Sequence, residues 1–181
     1  MDNGLIARRY AKALYKFALE HNKTADVYKE MTAVAKAFAD NPALQRTLSN
    51  PYIAPADKEM LMRDAAGSLY DDDFKALVQL VIQHHREEYM QRICLAYCDI
   101  YREENKISLV RIVTAKPLST ERMDRIHSLV GKAFPDRTFE YTAEVNPDLI
   151  GGFQVYVDNV KMDASISNEL QQLRQNLISS N

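Results

Sequence analysis

Side chains able to carry chemistry are few and fall in four places. Cys94 and Cys98 lie four apart, His84 and His85 are adjacent, and Asp71, Asp72 and Asp73 are consecutive. Gly151–Gly152, in "LIGGF", is the only glycine pair among five glycines. Two thiols on one helix face could help to hold a soft metal, but a zinc site needs a matching Cys or His pair elsewhere and none is present. They read as buried free thiols behaving as small hydrophobes. Adjacent histidines on a helix point roughly 100° apart, so one ion cannot easily take both. Near a helix end they suit the macrodipole instead. Three consecutive carboxylates could bind a divalent cation, but at a helix start they more commonly cap it and complement its dipole. The glycines could cradle a phosphate if a helix N-terminus came directly after them. The strand-like "FQVYV" stands there instead, with no basic residue close by in the sequence. They read as a backbone bend, with positive φ or close packing at Gly151–Gly152.

The wider motifs of catalysis are missing as well. There is no Walker-type glycine loop, no strand–GxGxxG–helix and no GxSxG elbow. The expectation is therefore a chain with no catalytic site, no cofactor and no metal. The formal charge is −2, with 14 basic and 16 acidic residues before Lys106 and 9 of each from there on. Charge so evenly spread leaves no footprint for nucleic acid or an anionic lipid surface. No apolar run approaches the roughly 20 residues that span a bilayer. The opening "MDNGLIARRYAKALYKFALEH" lacks the apolar region of a signal peptide and the serines of a transit peptide, which predicts a cytosolic chain that begins with structure.

The elements that must position any site change character near Lys106. Before it, apolar spacing predicts six helices. The first runs from Leu5 to about His21 and carries two stripes, one of Ile6, Tyr10, Ala13 and Phe17, the other of Ala7, Ala11, Leu14 and Ala18. The second is capped by Thr24 and carries Val27, Met31, Val34 and Phe38. Asn41 and Pro42 start a short third, Pro55 to Ala66 forms a fourth ending at Gly67, and the aspartates open a fifth. The sixth runs from about Arg86 to Asn105. Beyond Lys106, "ISLVRIVTA", "TFEYTAEV" and "FQVYV" read as strands, with a helix from Ser119 to Phe134 and a hairpin turn at Asp158–Asn159. A last helix carries Ile166, Leu170, Leu173 and Leu177. The fold class is α + α/β: an N-terminal six-helix bundle over 1–105, then a small β-α-β-β-β-α domain over 106–181.

Two helices carry more apolar surface than one bundle face uses. The first has its second stripe, and the fifth is apolar nearly all round through Phe74, Leu77, Val78, Leu80, Val81 and Ile82. Side by side they would form a groove suited to a partner's amphipathic helix. The competing assignment is ordinary bundle core. The ten tyrosines fit either one.

"ARRYAKALYKFALEH" and "LIGGFQVYVDNVKMDASISNELQQL" together resemble the delta subunit of rotary (F-type) ATP synthases, the family of the mitochondrial oligomycin-sensitivity-conferring protein. The resemblance covers nearly the whole chain. It rests on Ala7, Tyr10, Ala11, Lys12, Ala13, Phe17 and Ala18 at one end. At the other it rests on Leu149, Gly152, the hairpin, Asp163, Ser165, Ile166, Leu170 and Leu173. The chain departs from the family pattern at Ala164, at Asn168–Glu169 and at Asp158–Asn159. The resemblance implies a non-catalytic structural subunit that joins the catalytic head to the peripheral stalk, or stator, and so supports proton-driven ATP synthesis. It implies that domain 1–105 holds the N-terminal helix of an alpha subunit in a groove between its first and fifth helices, and that domain 106–181 meets the C-terminal region of the b subunits. The groove residues it implies are Tyr10, Ala13, Phe17, Leu77, Leu80 and Val81. It implies a place at the cytoplasmic face of the bacterial inner membrane, with the membrane touched only through the complex. The alternative is a stand-alone adaptor for some other helical peptide.

Overall fold

Local chemistry sets most of the helix boundaries in the first hundred residues. In the computed structural model, which describes residues 3–67, 70–149 and 151–165, six α-helices precede Lys106. They are α1 (Asn3–Glu20), α2 (Thr24–Asp40), α3 (Pro42–Leu48), α4 (Pro55–Ala66), α5 (Asp72–Gln83) and α6 (Met90–Glu104). Asn41 caps α3 by accepting the Ala43 N–H, with Pro42 in the first turn. Gly67 closes α4 at φ +63°, a left-handed conformation that favours glycine. Asp71 caps α5 by accepting the Asp72 N–H. Two boundaries depart from the sequence expectation. Thr24 is the first residue of α2 and does not cap it; Lys23 stands at the cap without a side-chain bond. The sixth helix starts later than Arg86, because His85 takes φ +52° and a 3-10 turn at Glu87–Tyr89 intervenes.

The chain divides into two compact units, Met1–Asn105 and Lys106–Asn181. In the first, α1 and α2 both pack against α6. The core takes Ala7, Ala11, Leu14 and Ala18 from α1, and Val27, Met31, Val34 and Phe38 from α2. Ile93, Cys94, Tyr97 and Cys98 join it from α6. Three small side chains in the α1 stripe let its backbone approach closely, as ridge-into-groove packing requires. Buried Tyr97 keeps its hydroxyl satisfied by donating to the Thr24 carbonyl at 3.1 Å. A buried ion pair, Lys58 Nζ to Glu87 Oε1 at 2.6 Å, ties α4 to the 3-10 turn.

In the second unit β1 (Ile107–Thr114), α7 (Thr120–Ala133), β2 (Thr138–Val145), β3 (Gly152–Val157) and β4 (Val160–Ser165) build a four-stranded sheet of order β2-β1-β3-β4. β1 and β2 are parallel, joined through α7, with Ile107 opposite Thr138. β3 runs antiparallel to β1, with Val155 opposite Ile112, and β4 antiparallel to β3 across the Asp158–Asn159 turn. Ile126 and Val130 of α7 cover Val110, Ile112, Val155 and Val157. Successive strands β2 and β3 are not neighbours, because β1 lies between them. The chain leaving β2 therefore turns over the end of β1, where the Asn146 N–H donates to the Thr114 carbonyl at 2.8 Å. Gly152 takes φ +80° as the chain enters β3. The expected last helix, with Ile166, Leu170, Leu173 and Leu177, lies outside the described residues.

Candidate protein-binding groove

The two stripes of α1 separate cleanly. Ala7, Ala11, Leu14 and Ala18 are buried, while Tyr10 is half-buried and Ala13 and Phe17 are exposed. On α5 the side chains of Phe74, Leu77, Val78 and Val81 turn inward, leaving Ala76 and Leu80 at the surface. Between the helices lies an apolar groove of about 270 Å³. Tyr10, Ala13 and Phe17 form its α1 wall, Leu14 and Leu77 its floor, and Ala76 and Leu80 its α5 wall, with Asp73 at one end.

Five of the six residues expected at the groove line it: Tyr10, Ala13, Phe17, Leu77 and Leu80. Val81 does not. It is 1% exposed and packs in the core, since one helical step from Leu80 rotates it roughly 100° inward. Sequence reading missed Ala76, Asp73 and Leu14. Ala76 precedes Leu80 by four residues and Asp73 precedes Leu77 by four, so both share a face with a residue already assigned. That spacing was the available signal.

Polar anchors hold the aromatic walls. Arg86 Nη1 donates to the Tyr10 hydroxyl at 3.2 Å, with its guanidinium 5.4 Å from the ring centre. Phe17 stands edge-on to the His21 ring at 4.4 Å, and His21 Nδ1–H donates to Asp73 Oδ1 at 3.0 Å. The neighbouring Lys23 donates to Asp71 at 2.8 Å. That bond holds the Asp71 carboxyl below its ordinary value and, in return, raises the Lys23 ammonium. The aspartate run thus caps α5, closes the groove and binds the chain just after α1. Behind it sits Glu30 of α2. It is 1% exposed, and burial, together with Asp71, Asp73 and Asp26, pushes it up to about 7.

The other candidate groups sit in unreactive surroundings. Cys94 and Cys98 are buried thiols outside any disulfide, and burial raises Cys94 strongly. His84 Nδ1–H donates to the Leu80 carbonyl at 2.8 Å, closing the end of α5. Among the described residues no group of three His, Cys, Asp or Glu side chains is placed to hold a metal. The glycine pair keeps its reading as a bend, with Gly152 at φ +80°, but its surroundings differ from those expected. In the second unit Gly151 and Gly152 edge a cavity of about 590 Å³, whose wall brings Lys116, Arg122 and Arg125 near them over an apolar floor of Leu118, Ile126, Leu129 and Phe153. No basic residue is close in sequence, but the fold supplies three, from the loop after β1 and the first turns of α7. Arg125 is already tied to Glu121 at 2.8 Å.

Comparison with known proteins places this arrangement. The family model described as ATP synthase delta (OSCP) subunit matches residues 6–177. The ATP synthase subunit delta of Phocaeicola vulgatus is 34% identical over 179 residues, covering 98% of this chain and 96% of that protein. That of Parabacteroides distasonis is 33% identical over 178 residues, covering 98% of each. Among solved structures, a chain of the Toxoplasma gondii mitochondrial ATP synthase hexamer has the same fold. Its TM-score is 0.72 at 18% identity, over 95% of this chain and 97% of that one.

Proposed function

The chain belongs to the ATP synthase delta (OSCP) family, and from that premise we propose that it joins the catalytic head of the complex to its peripheral stalk. The family is a structural, non-catalytic subunit of the synthase, so the work is mechanical. The stalk must resist the torque of the rotor, and a connector does this through helix contacts that do not slip.

The observation that carries the reading is the α1–α5 groove. An apolar trough lined by Tyr10, Ala13, Phe17, Leu77 and Leu80 fits an amphipathic helix presenting apolar residues at i, i+3 or i+4, and i+7. The proposed occupant is the N-terminal helix of the alpha subunit. Phe17 and Leu80 are each 41% exposed; covering them contributes about 1 kcal/mol apiece. Tyr10 and Phe17, already held by Arg86 and His21, need little reordering on binding. The second unit, 106–181, is the proposed contact for the C-terminal region of the b subunits. The site of action is the cytoplasmic face of the bacterial inner membrane, reached through the complex. Among the described residues no helix is long and apolar enough to cross a membrane.

Isothermal titration with two peptides tests the reading: the N-terminal segment of the same organism's alpha subunit and an unrelated amphipathic helix. Tight binding of the first alone is expected. Equal binding of both would favour a stand-alone adaptor, and binding of neither would overturn the groove assignment.

A further inference from the structure

The cavity beside Gly151–Gly152 joins two kinds of surface in about 590 Å³. Its floor is apolar, and Leu129 of α7, which helps to form it, is 57% exposed. Its wall is cationic. Lys116 precedes α7 and Arg122 stands in the first turn of that helix. Both are exposed, and neither side chain has an ion pair or hydrogen bond among the described residues. Arg125 is spent on Glu121. No acidic side chain is among the described residues that form the cavity. Ser119 puts no side-chain cap on α7, so the positive end of the helix dipole adds to the same wall. Gly151 and Gly152 present bare backbone, so no side chain narrows the cavity on that side.

Size and charge together select the occupant. One turn of α-helix with its side chains, a cylinder about 10–12 Å across and about 5.4 Å tall, fills roughly 400–600 Å³. The cavity therefore takes the end of a helix and not a length of one. The first turn of a helix carries the positive end of its dipole and would meet Lys116 and Arg122 unfavourably. The last turn carries the negative end. Where it is also the end of a chain it bears an α-carboxylate, ionised throughout the neutral range. We infer that the cavity is the receptor for the C-terminal carboxylate of a b subunit. The last apolar side chains of that subunit rest on Leu118, Leu129 and Phe153, and its carboxylate pairs with Lys116 and Arg122. The inference rests on the proposal that the second unit meets the C-terminal region of the b subunits, and it names the residues that do so. Charge-assisted bonds to an ammonium and a guanidinium fix the chain end in register, which a contact under torque requires.

The test is titration calorimetry of the full chain with the C-terminal peptide of the same organism's b subunit, made once with its free carboxylate and once as the C-terminal amide. The amide is expected to bind the native protein about tenfold more weakly. In the double variant Lys116→Gln, Arg122→Gln the acid falls to the affinity of the amide, and the amide itself changes little. Both positions are exposed, so the fold is retained, and circular dichroism checks it. High salt weakens the acid and leaves the amide nearly unchanged. Leu129→Gln weakens both peptides several-fold alike. Equal binding of acid and amide, a double variant that keeps the preference, or a Leu129→Gln protein that binds as the native one does would each overturn the inference. The b-subunit contact would still stand, because the peptide binds. Binding of neither peptide to the native protein would overturn both.

Discussion

His21 and Asp73 meet across 52 residues of sequence, with His21 Nδ1–H donating to Asp73 Oδ1 at 3.0 Å. The carboxylate is 5% exposed and the imidazole 44%, so one partner belongs to the interior and the other to the surface. The contact fixes the chain after α1 to the first turn of α5 and sets the closed end of the groove. An apolar groove is thereby built at the seam between two helices of the same bundle.

Ala13→Arg should abolish binding of the alpha-subunit peptide and leave the fold intact. Ala13 is exposed on the groove wall, so the longer side chain meets solvent in the free protein and the partner in the complex. Calorimetry and a thermal melt distinguish the cases. Normal binding would remove α1 from the groove, and unfolding would place Ala13 in the core.

Adjacent residues on α5 should respond in opposite ways. Val81→Ala removes two buried methyl groups and should cost about 2 kcal/mol of stability, with little effect on binding. Leu80→Ala should cost less than about 1 kcal/mol of stability and weaken peptide binding several-fold. Urea denaturation and calorimetry on both variants give the comparison.

Lys58→Met should destabilise the first unit by about 3–5 kcal/mol, because it strands the buried Glu87 carboxylate. Lys58→Met combined with Glu87→Leu should recover most of that loss. Equal destabilisation by single and double variants would contradict a buried-charge origin.

Stability should fall as pH rises from the ordinary carboxylate range to neutrality. Glu30 titrates near its usual value of 4.5 when unfolded and about 7 when folded, so the folded state holds the proton longer. The stability this contributes is full below pH 4.5 and is lost as pH climbs through 7. Its size is on the order of 3 kcal/mol. Glu30→Gln should be more stable than the native chain at pH 8, and denaturation at pH 5, 6, 7 and 8 measures the difference.

Much of the fold is legible in the sequence because it depends on local chemistry. Asn41–Pro42, Gly67 and Asp71 are capping signals that act over a few residues, and they mark real boundaries. The two stripes of α1 are also readable, since a 3.6-residue period separates faces whatever they pack against. Which stripe is buried is not, because that choice is made by α6 and depends on the close approach the alanines permit. Val81 is misassigned for the same reason: on a helix apolar nearly all round, spacing alone does not say which side faces the core. Lys116, Arg122 and Arg125 reach the glycine pair only through strand order, since β1 stands between β2 and β3. Glu30 resembles, in sequence, one more surface acid of an amphipathic helix, and its burial is set by tertiary packing that spacing does not show.

The central claim is that the α1–α5 groove receives the alpha subunit's N-terminal helix. The most direct measurement is a residue-resolved NMR titration of the full chain with that peptide. The account predicts the largest shifts at Tyr10, Ala13, Phe17, Ala76 and Leu80, with Val81 and the 106–165 sheet nearly unmoved. Shifts centred on α3 and α4, on the second unit, or nowhere would contradict it.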